Sequence, residues 1–478
     1  MTTALTDTDL TGLPGVADWQ LVPGGPHGTL LVAGPPPAAE REPSHSSVPG
    51  GDSTDATARA TAAGDDSVQD TDPAPLPALM RRLDETALLT MARVLDRTRL
   101  FRDGRGHDAD EVLAALAAAP RHAWLVRRWL RTLAAENRLV QDTRTGRYHG
   151  LEVPDRREHA RALRDLDGAC RGLGYPPSMT RFFRSAAERL PLLLQDRATL
   201  QEVLFPDGRT DTAQGNYRDS TPSRWANHAA ASLVVDQARH RAAHAPLRVL
   251  EAGAGVGGTT GTVLEALGGT PVDYLFTDVS PFFLKEARDV FGARPGLRHA
   301  LFDIQADPLA QGFAPASQDV VLAANVLHNA RHAGRALAAL RELLVPGGLL
   351  VLVESCQEHY QALTSMYLLM SPAPDEQGWF TDLRAGQDRV LLTAEEWTRQ
   401  LDAAGFDPLP VLPTDGHPLA AAAGQRVLAG RVRPGVGRPD PDRVRAALAD
   451  RLPPGAPLPR VHAVDRVIRT TTPTGAPC

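Results

Sequence analysis

The chain has 478 residues, and 42% of them are hydrophobic, enough for a sizeable core. At roughly 100–200 residues per domain, that length predicts two to four domains. Lys and Arg number 51 against 57 Asp and Glu, a net charge of -6, which offers no general attraction to nucleic acid or to an anionic membrane. Cys170, Cys356 and Cys478 are scattered, so neither a disulfide framework nor a zinc site is expected and a reducing cytoplasm fits. The start, MTTALTDTDLTG, has neither a basic nor an apolar run and does not read as a secretory signal. No apolar stretch reaches the roughly 18 residues of a membrane span.

In chain order, ADWQLVP and TLLVAG read as two strands joined by a Gly-rich turn. Residues 35–77 hold almost no large apolar side chains and are expected to be a disordered linker. Residues 78–243 turn helical: ETALLTMARVLDR and DEVLAALAAA repeat apolar residues at three- and four-residue spacing. HAWLVRRWLRTLAAENRLVQDTRTGRYHG reads as helix, strand, turn, strand, a winged-helix-like unit. Its Arg127, Arg128 and Arg131 allow a DNA-binding reading. A solvated helix face beside a Trp124/Trp129 core stripe is preferred, because nothing else is basic enough to hold phosphates. From residue 244 to 435 apolar strands alternate with helices: LRVLEAG, DYLFTDV, LRHALFDI, DVVLAANV and GLLVLVE. This is the pattern of a parallel, doubly wound α/β sheet. Residues 436–478 hold one short helix and one strand.

The chemistry gathers at the ends of these strands. The first runs into Gly253, Gly255 and Gly257, where missing side chains let the backbone turn and approach a ligand. Glu251 precedes them; an acid there suits the amino group of S-adenosylmethionine and is a poor neighbour for a pyrophosphate. Asp278, ending the second strand, can accept both hydroxyls of a ribose; the helix cap that it could otherwise supply is assigned to Ser280. Asp303, at the third, is either an adenine contact or a turn residue. Asn325, just after the fourth strand, joins this cofactor-binding set. His328 follows the fourth strand and Glu354 ends the fifth, so the two can face one another across one crevice. Histidine removes a proton at neutral pH, and a carboxylate on its other nitrogen fixes the tautomer. A lone histidine there would more often be structural, and His332 is the rival base. No metal-ligand cluster is visible.

Together LRVLEAGAGVGGTT, YLFTDVSPFFLKEA, FDIQADPLAQGF, DVVLAANVLHNAR and LLVPGGLLVLVE resemble the S-adenosylmethionine-dependent carbon-methyltransferase domains of polyketide synthases and nonribosomal peptide synthetases. LPLLLQDRATLQEVLFPDG, YRDSTPSRWANHAA and VLLTAEEWTRQLDAAGF extend the resemblance to about residues 80–435. It implies a class I methyltransferase fold, with the helical, winged-helix-like region 78–243 as a lid. It also implies S-adenosylmethionine as cofactor, a carrier-protein-bound thioester as substrate, and His328 with Glu354 as the base pair. The flanks 1–34 and 436–478 resemble the small C-terminal subdomain of an adenylation domain, expected to pair as an inactive remnant. Ala476 stands where that pattern has a catalytic lysine. Rival readings are a methyltransferase-like epimerase of a thiazolinyl thioester, an O- or N-methyltransferase of a free metabolite, and a non-catalytic carrier-binding scaffold.

Overall fold

A computed structural model describes residues 18–23, 29–34, 51–239, 245–373, 379–433, 441–450, 452 and 458–463. Strands β1 (Asp18–Pro23) and β2 (Thr29–Gly34) form an antiparallel hairpin. Helices α1 (Gly51–Ser67), α2 (Leu76–Arg97), α3 (Ala109–Leu116) and α4 (Ala123–Ala135) follow. The short ribbon β3 (Val140–Gln141) and β4 (Tyr148–His149) then leads to α5 (Arg156–Gly172), α6 (Pro177–Leu194) and α7 (Thr221–Arg239). The large sheet begins at β5 (Leu247–Ala252) and continues through α8 (Gly258–Leu267), β6 (Val272–Asp278), α9 (Pro281–Phe291) and β7 (Leu297–Leu301). Next come β8 (Gln318–Ala324), α10 (Ala333–Leu343) and β9 (Leu344–Ser355). The chain ends its described part with α11 (Ala394–Ala403), β10 (Phe406–Pro408), β11 (Gln425–Val432), α12 (Pro441–Ala449) and β12 (Arg460–Ala463).

The large sheet has the order β10-β11-β9-β8-β5-β6-β7. The five strands expected from the sequence are parallel, and β11 and β10 add two antiparallel strands beside β9. The order reverses between β5 and β8, which opens a crevice at the carboxyl ends of those strands, where doubly wound folds bind ligands. Strand alternation sorts the core. Val249, Val320, Val351 and Val427 face α7 and α8, while Leu250, Val321, Leu350 and Leu428 face α10 and α11. Each such side chain contributes about 1.5–3 kcal/mol relative to its exposed state. The first of these cores is continuous with the interior of α1–α6, so the helical region and the sheet share one hydrophobic mass.

Arginines of α4 bind acids from the second half of the chain. Arg127 and Arg131 both pair with Asp388 at 2.7 and 3.0 Å, and Arg128 pairs with Glu358 at 2.6 Å. Trp129 Nε1 donates to the Leu363 carbonyl at 2.9 Å, and Trp124 packs on Trp379. The arginine face is therefore a seam between two layers, not a free basic surface.

The linker expectation needs correction. Residues 35–50 lie outside the described residues, but residues 51–67 form α1, and α2 already begins at Leu76. Large side chains are absent from α1 because its partner α7 supplies the bulk. Ala56 and Ala60 are buried, Trp225 lies against Gly64, and Trp225 Nε1 donates to Asp65 Oδ1 at 2.8 Å. Close packing of small residues takes the place of large apolar area.

At the chain's ends β12 pairs in parallel with β2, matching Val461 to Leu31, and Leu31 packs with Val444 and Leu448 of α12. His462 Nε2 lies 3.5 Å from Glu342 Oε2 on α10, which ties this three-stranded sheet to the larger one.

A Cβ on residue 64 would sit 2.5 Å from the Trp225 ring. Gly64→Val is therefore expected to lose about 1–3 kcal/mol of stability in urea unfolding through overpacking. Amide exchange over residues 54–67 should be slow in the unsubstituted protein; rapid exchange there would contradict the packed helix.

Candidate active site

Three glycines with positive φ carry the chain from β5 into α8: Gly253 (65°), Gly255 (55°) and Gly257 (72°). A side chain at Gly253 would strike Val326, 2.4 Å from its Cγ2, so this glycine lets the loops after β5 and β8 touch. At Gly255 an added Cβ would approach only the Gly253 carbonyl oxygen, at 4.0 Å, so the loop is open there. Asp278 holds that loop in place. Its Oδ2 accepts the Gly255 N–H at 3.0 Å and its Oδ1 accepts the Ser280 N–H at 2.8 Å. Ser280 itself makes no side-chain cap on α9, contrary to the sequence expectation; its N–H instead donates to the Asp278 side chain two residues back, a local Asx turn. Burial raises the Asp278 carboxyl above its ordinary value.

Glu251 is buried at the end of β5 and uses one oxygen, Oε2, to accept from Thr260 Oγ1 at 2.5 Å and Tyr274 OH at 2.6 Å. Burial pushes its carboxyl up to about 7. Asp303 lies just past β7 and accepts the Gln305 N–H at 2.8 Å, which is the turn role.

The second cluster lies where β8 and β9 end. His328 Nδ1 is 2.6 Å from Glu354 Oε2, and both side chains are buried, Glu354 with no exposed area. Glu354 Oε1 also accepts the backbone N–H groups of Val326 (3.2 Å) and Leu327 (2.8 Å). Asn325 turns the chain into this loop with a left-handed φ of 55°, and its N–H donates to the Val353 carbonyl at 2.6 Å. The loop's carbonyls go to Arg384, a buried residue that the sequence reading missed. Its guanidinium donates to His328 O and Ala330 O, each at 2.6 Å, pairs with Asp382 at 2.7 Å, and lies 3.6 Å from the Phe380 ring centre. His332 is not part of this cluster: it caps α10, its Nδ1 accepting the Arg335 N–H.

His328 lines a cavity of about 140 Å³, walled by Asn325, Tyr217, His359, Met80 and Leu83 among others. Met80 and Leu83 come from α2, so the helical region roofs the sheet's crevice. Tyr217 sits in a π-helical turn, Gly215–Asp219, and burial pushes its hydroxyl up to about 12. Neither the glycines, Glu251, Asp278 nor Asp303 lines this cavity. The expected cofactor residues and the His–Glu pair thus form two compartments, adjoining where Gly253 meets Val326; Asn325 belongs with the second. Among the described residues no three His, Cys, Asp or Glu side chains could hold a metal ion, and no helix is long and apolar enough to cross a membrane.

Comparison with known proteins agrees with this fold. Residues 250–350 match the family described as a methyltransferase domain. Pyochelin synthetase PchF of Pseudomonas aeruginosa is 29% identical over 383 residues, 79% of this chain and 21% of that protein. Polyketide synthase ThaG of Burkholderia thailandensis is 32% identical over 352 residues, 71% of this chain and 6% of that protein. The chain thus spans about a fifth or less of these relatives' length. The CurJ carbon methyltransferase has the same fold, with a TM-score of 0.70 at 24% identity, covering 80% of this chain and 99% of that one.

The raised Glu251 carboxyl has a measurable consequence. A buried acid whose pKa lies above its ordinary 4.5 favours folding while protonated, and that contribution disappears as pH rises through about 7. At about 1.4 kcal/mol per pH unit, the cap over this interval is about 3 kcal/mol. Denaturation at pH 5 and pH 8 should show Glu251→Gln losing less stability with rising pH than the unsubstituted protein. Equal pH slopes would exclude the buried acid.

Proposed function

Taking the chain as an S-adenosylmethionine-dependent methyltransferase, we propose that it methylates the carbon beside the thioester of a carrier-bound acyl or peptidyl substrate. The observation that carries this reading is the buried bond between His328 Nδ1 and Glu354. With Nδ1 so engaged, Nε2 is the nitrogen left for a substrate in the cavity that His328 lines. A carbon-bound proton is far harder to remove than a hydroxyl proton, so a positioned base with a charge-balancing partner suits carbon methylation better than transfer to oxygen. The relatives' names, a synthetase and a polyketide synthase, and that of the CurJ carbon methyltransferase support the same assignment.

The residues of the first compartment fit the cofactor. Glu251 Oε1 would meet its ammonium group, and the remaining lone pairs of Asp278 its ribose hydroxyls. The open face at Gly255, flanked by Gly253 and Gly257, would admit the part of it that lies along the backbone. When bound, the cofactor supplies a methyl group activated by positively charged sulfur. His328 takes the substrate's α-proton, Glu354 balances the imidazolium charge, and Arg384 holds the loop so that neither moves. In this reading residues 78–243 are the lid and residues 244–435 the catalytic unit. The flanks 1–34 and 436–478 are a scaffold without adenylating activity. The partner is a carrier protein, and the arginines of α4 are engaged with Asp388 and Glu358.

Two sets of variants test this. By calorimetry, Gly255→Asp should abolish S-adenosylmethionine binding and Asp278→Ala weaken it about 10- to 100-fold, the loss of hydrogen bonds to a charged group. Unchanged affinity in both folded variants would place the cofactor elsewhere. His328→Ala should bind cofactor normally yet lose about 10²–10⁴-fold in methylation and in α-proton exchange with heavy water without methyl donor. Glu354→Gln should lose less, and His332→Ala little. Exchange at the unsubstituted rate in His328→Ala would remove His328 as the base.

A further inference from the structure

The cavity lined by His328 contains a second histidine with its own carboxylate. His359 Nδ1 lies 3.2 Å from Asp84 Oδ2, and Asp84 Oδ1 accepts the Gln361 N–H at 3.0 Å. The pair joins α2 to the segment after β9, so both walls of the cavity position it. His359 Nε2 is buried and has no hydrogen-bond partner. Of the buried side-chain atoms without a partner among the described residues, it alone belongs to a residue lining this cavity. Leaving such a nitrogen unsatisfied costs about 1–3 kcal/mol, a cost that a ligand atom removes. The cavity is also small. At about 140 Å³ it resembles in size the roughly 150 Å³ cavities that hold one benzene molecule, and His328 and His359 both line it.

We propose that His359, positioned by Asp84, donates a hydrogen bond to the thioester carbonyl oxygen and stabilises the charge that develops there. The inference rests on the thioester reading above. When His328 acts, the α-carbon's proton passes to His328 Nε2. The C–H electron pair enters the bond to the carbonyl carbon, and the carbonyl pair moves onto oxygen. His359, held at Nδ1 by Asp84, presents Nε2–H to that oxygen and keeps that proton throughout. A donor aimed where charge appears in the transition state stabilises it more than the ground state. His359 is thus a catalytic residue and Asp84 a positioning residue.

The test uses the full chain and acetoacetyl-pantetheine in heavy water without methyl donor, following α-proton exchange above the uncatalysed rate. His359→Ala should exchange about 10²–10³-fold more slowly, the effect of removing one such donor. Its S-adenosylmethionine affinity and circular dichroism should be unchanged. His359→Gln, which keeps an N–H donor, should recover to within about tenfold of the unsubstituted rate. Asp84→Asn should slow exchange, and adding it to His359→Ala should cost nothing further, since the two act as one unit. Exchange at the unsubstituted rate in His359→Ala overturns this inference and leaves the His328 assignment standing. A parallel loss of cofactor affinity, unrescued by Gln, makes the pair structural and also overturns it. No exchange by the unsubstituted protein overturns both readings together.

Discussion

A carboxylate with no solvent exposure organises the end of the sheet. Glu354 sits one residue from the end of β9, where an unpaired negative charge would cost several kcal/mol. Three donors meet it: the Val326 and Leu327 N–H groups and His328 Nδ1. To bring three donors from consecutive residues to one carboxylate, the chain after β8 must turn within a single residue, and Asn325 does so in the left-handed region. The register of β8 on β9, with Ala324 opposite Val353, sets the distance over which this happens. Arg384 completes the loop from the other side by taking its carbonyls. The histidine's place is therefore dictated by hydrogen-bond satisfaction of a buried charge as much as by its own side chain.

The helical region is built into this arrangement and does not merely rest upon it. Met80, Leu83 and Tyr217 close the cavity, and the same helices bury their other faces in the core that continues under the sheet. Arg127, Arg128 and Arg131 fasten α4 to the segments around Asp388 and Glu358. These pairs are partly exposed, and such pairs contribute little each; the shared apolar core and the Trp124–Trp379 contact carry most of the attachment.

Much of the sheet was legible because β-strands buried on both faces read as near-continuous apolar runs, as in DVVLAANV and GLLVLVE. The chemistry was legible where it depends on strand ends, since topology puts the ends of β8 and β9 side by side; His328 and Glu354 meet for that reason. Contacts distant in sequence were not legible. Nothing in Phe380 to Arg384 announces an arginine that folds back on His328, and nothing near Asp84 announces His359. β11 was missed because AAGQRVLAGRV mixes glycine and arginine into its apolar pattern, and the depth of a strand in a sheet depends on neighbours. α1 was misread for a related reason: large apolar residues signal a core, but Ala56, Ala60 and Gly64 mark a place where another helix comes close.

The pairing of β2 with β12 constrains how the chain can reach its final form. These strands stand near opposite ends of the sequence, so their ladder closes a loop containing nearly every other element. In an extended chain the entropy of that closure opposes pairing, and four short register pairs cannot outweigh it. Once the intervening mass is compact the ends are brought near, and the same ladder forms against little opposition. By loop-closure entropy, the small sheet is a clasp that engages more readily once the body between its strands is compact.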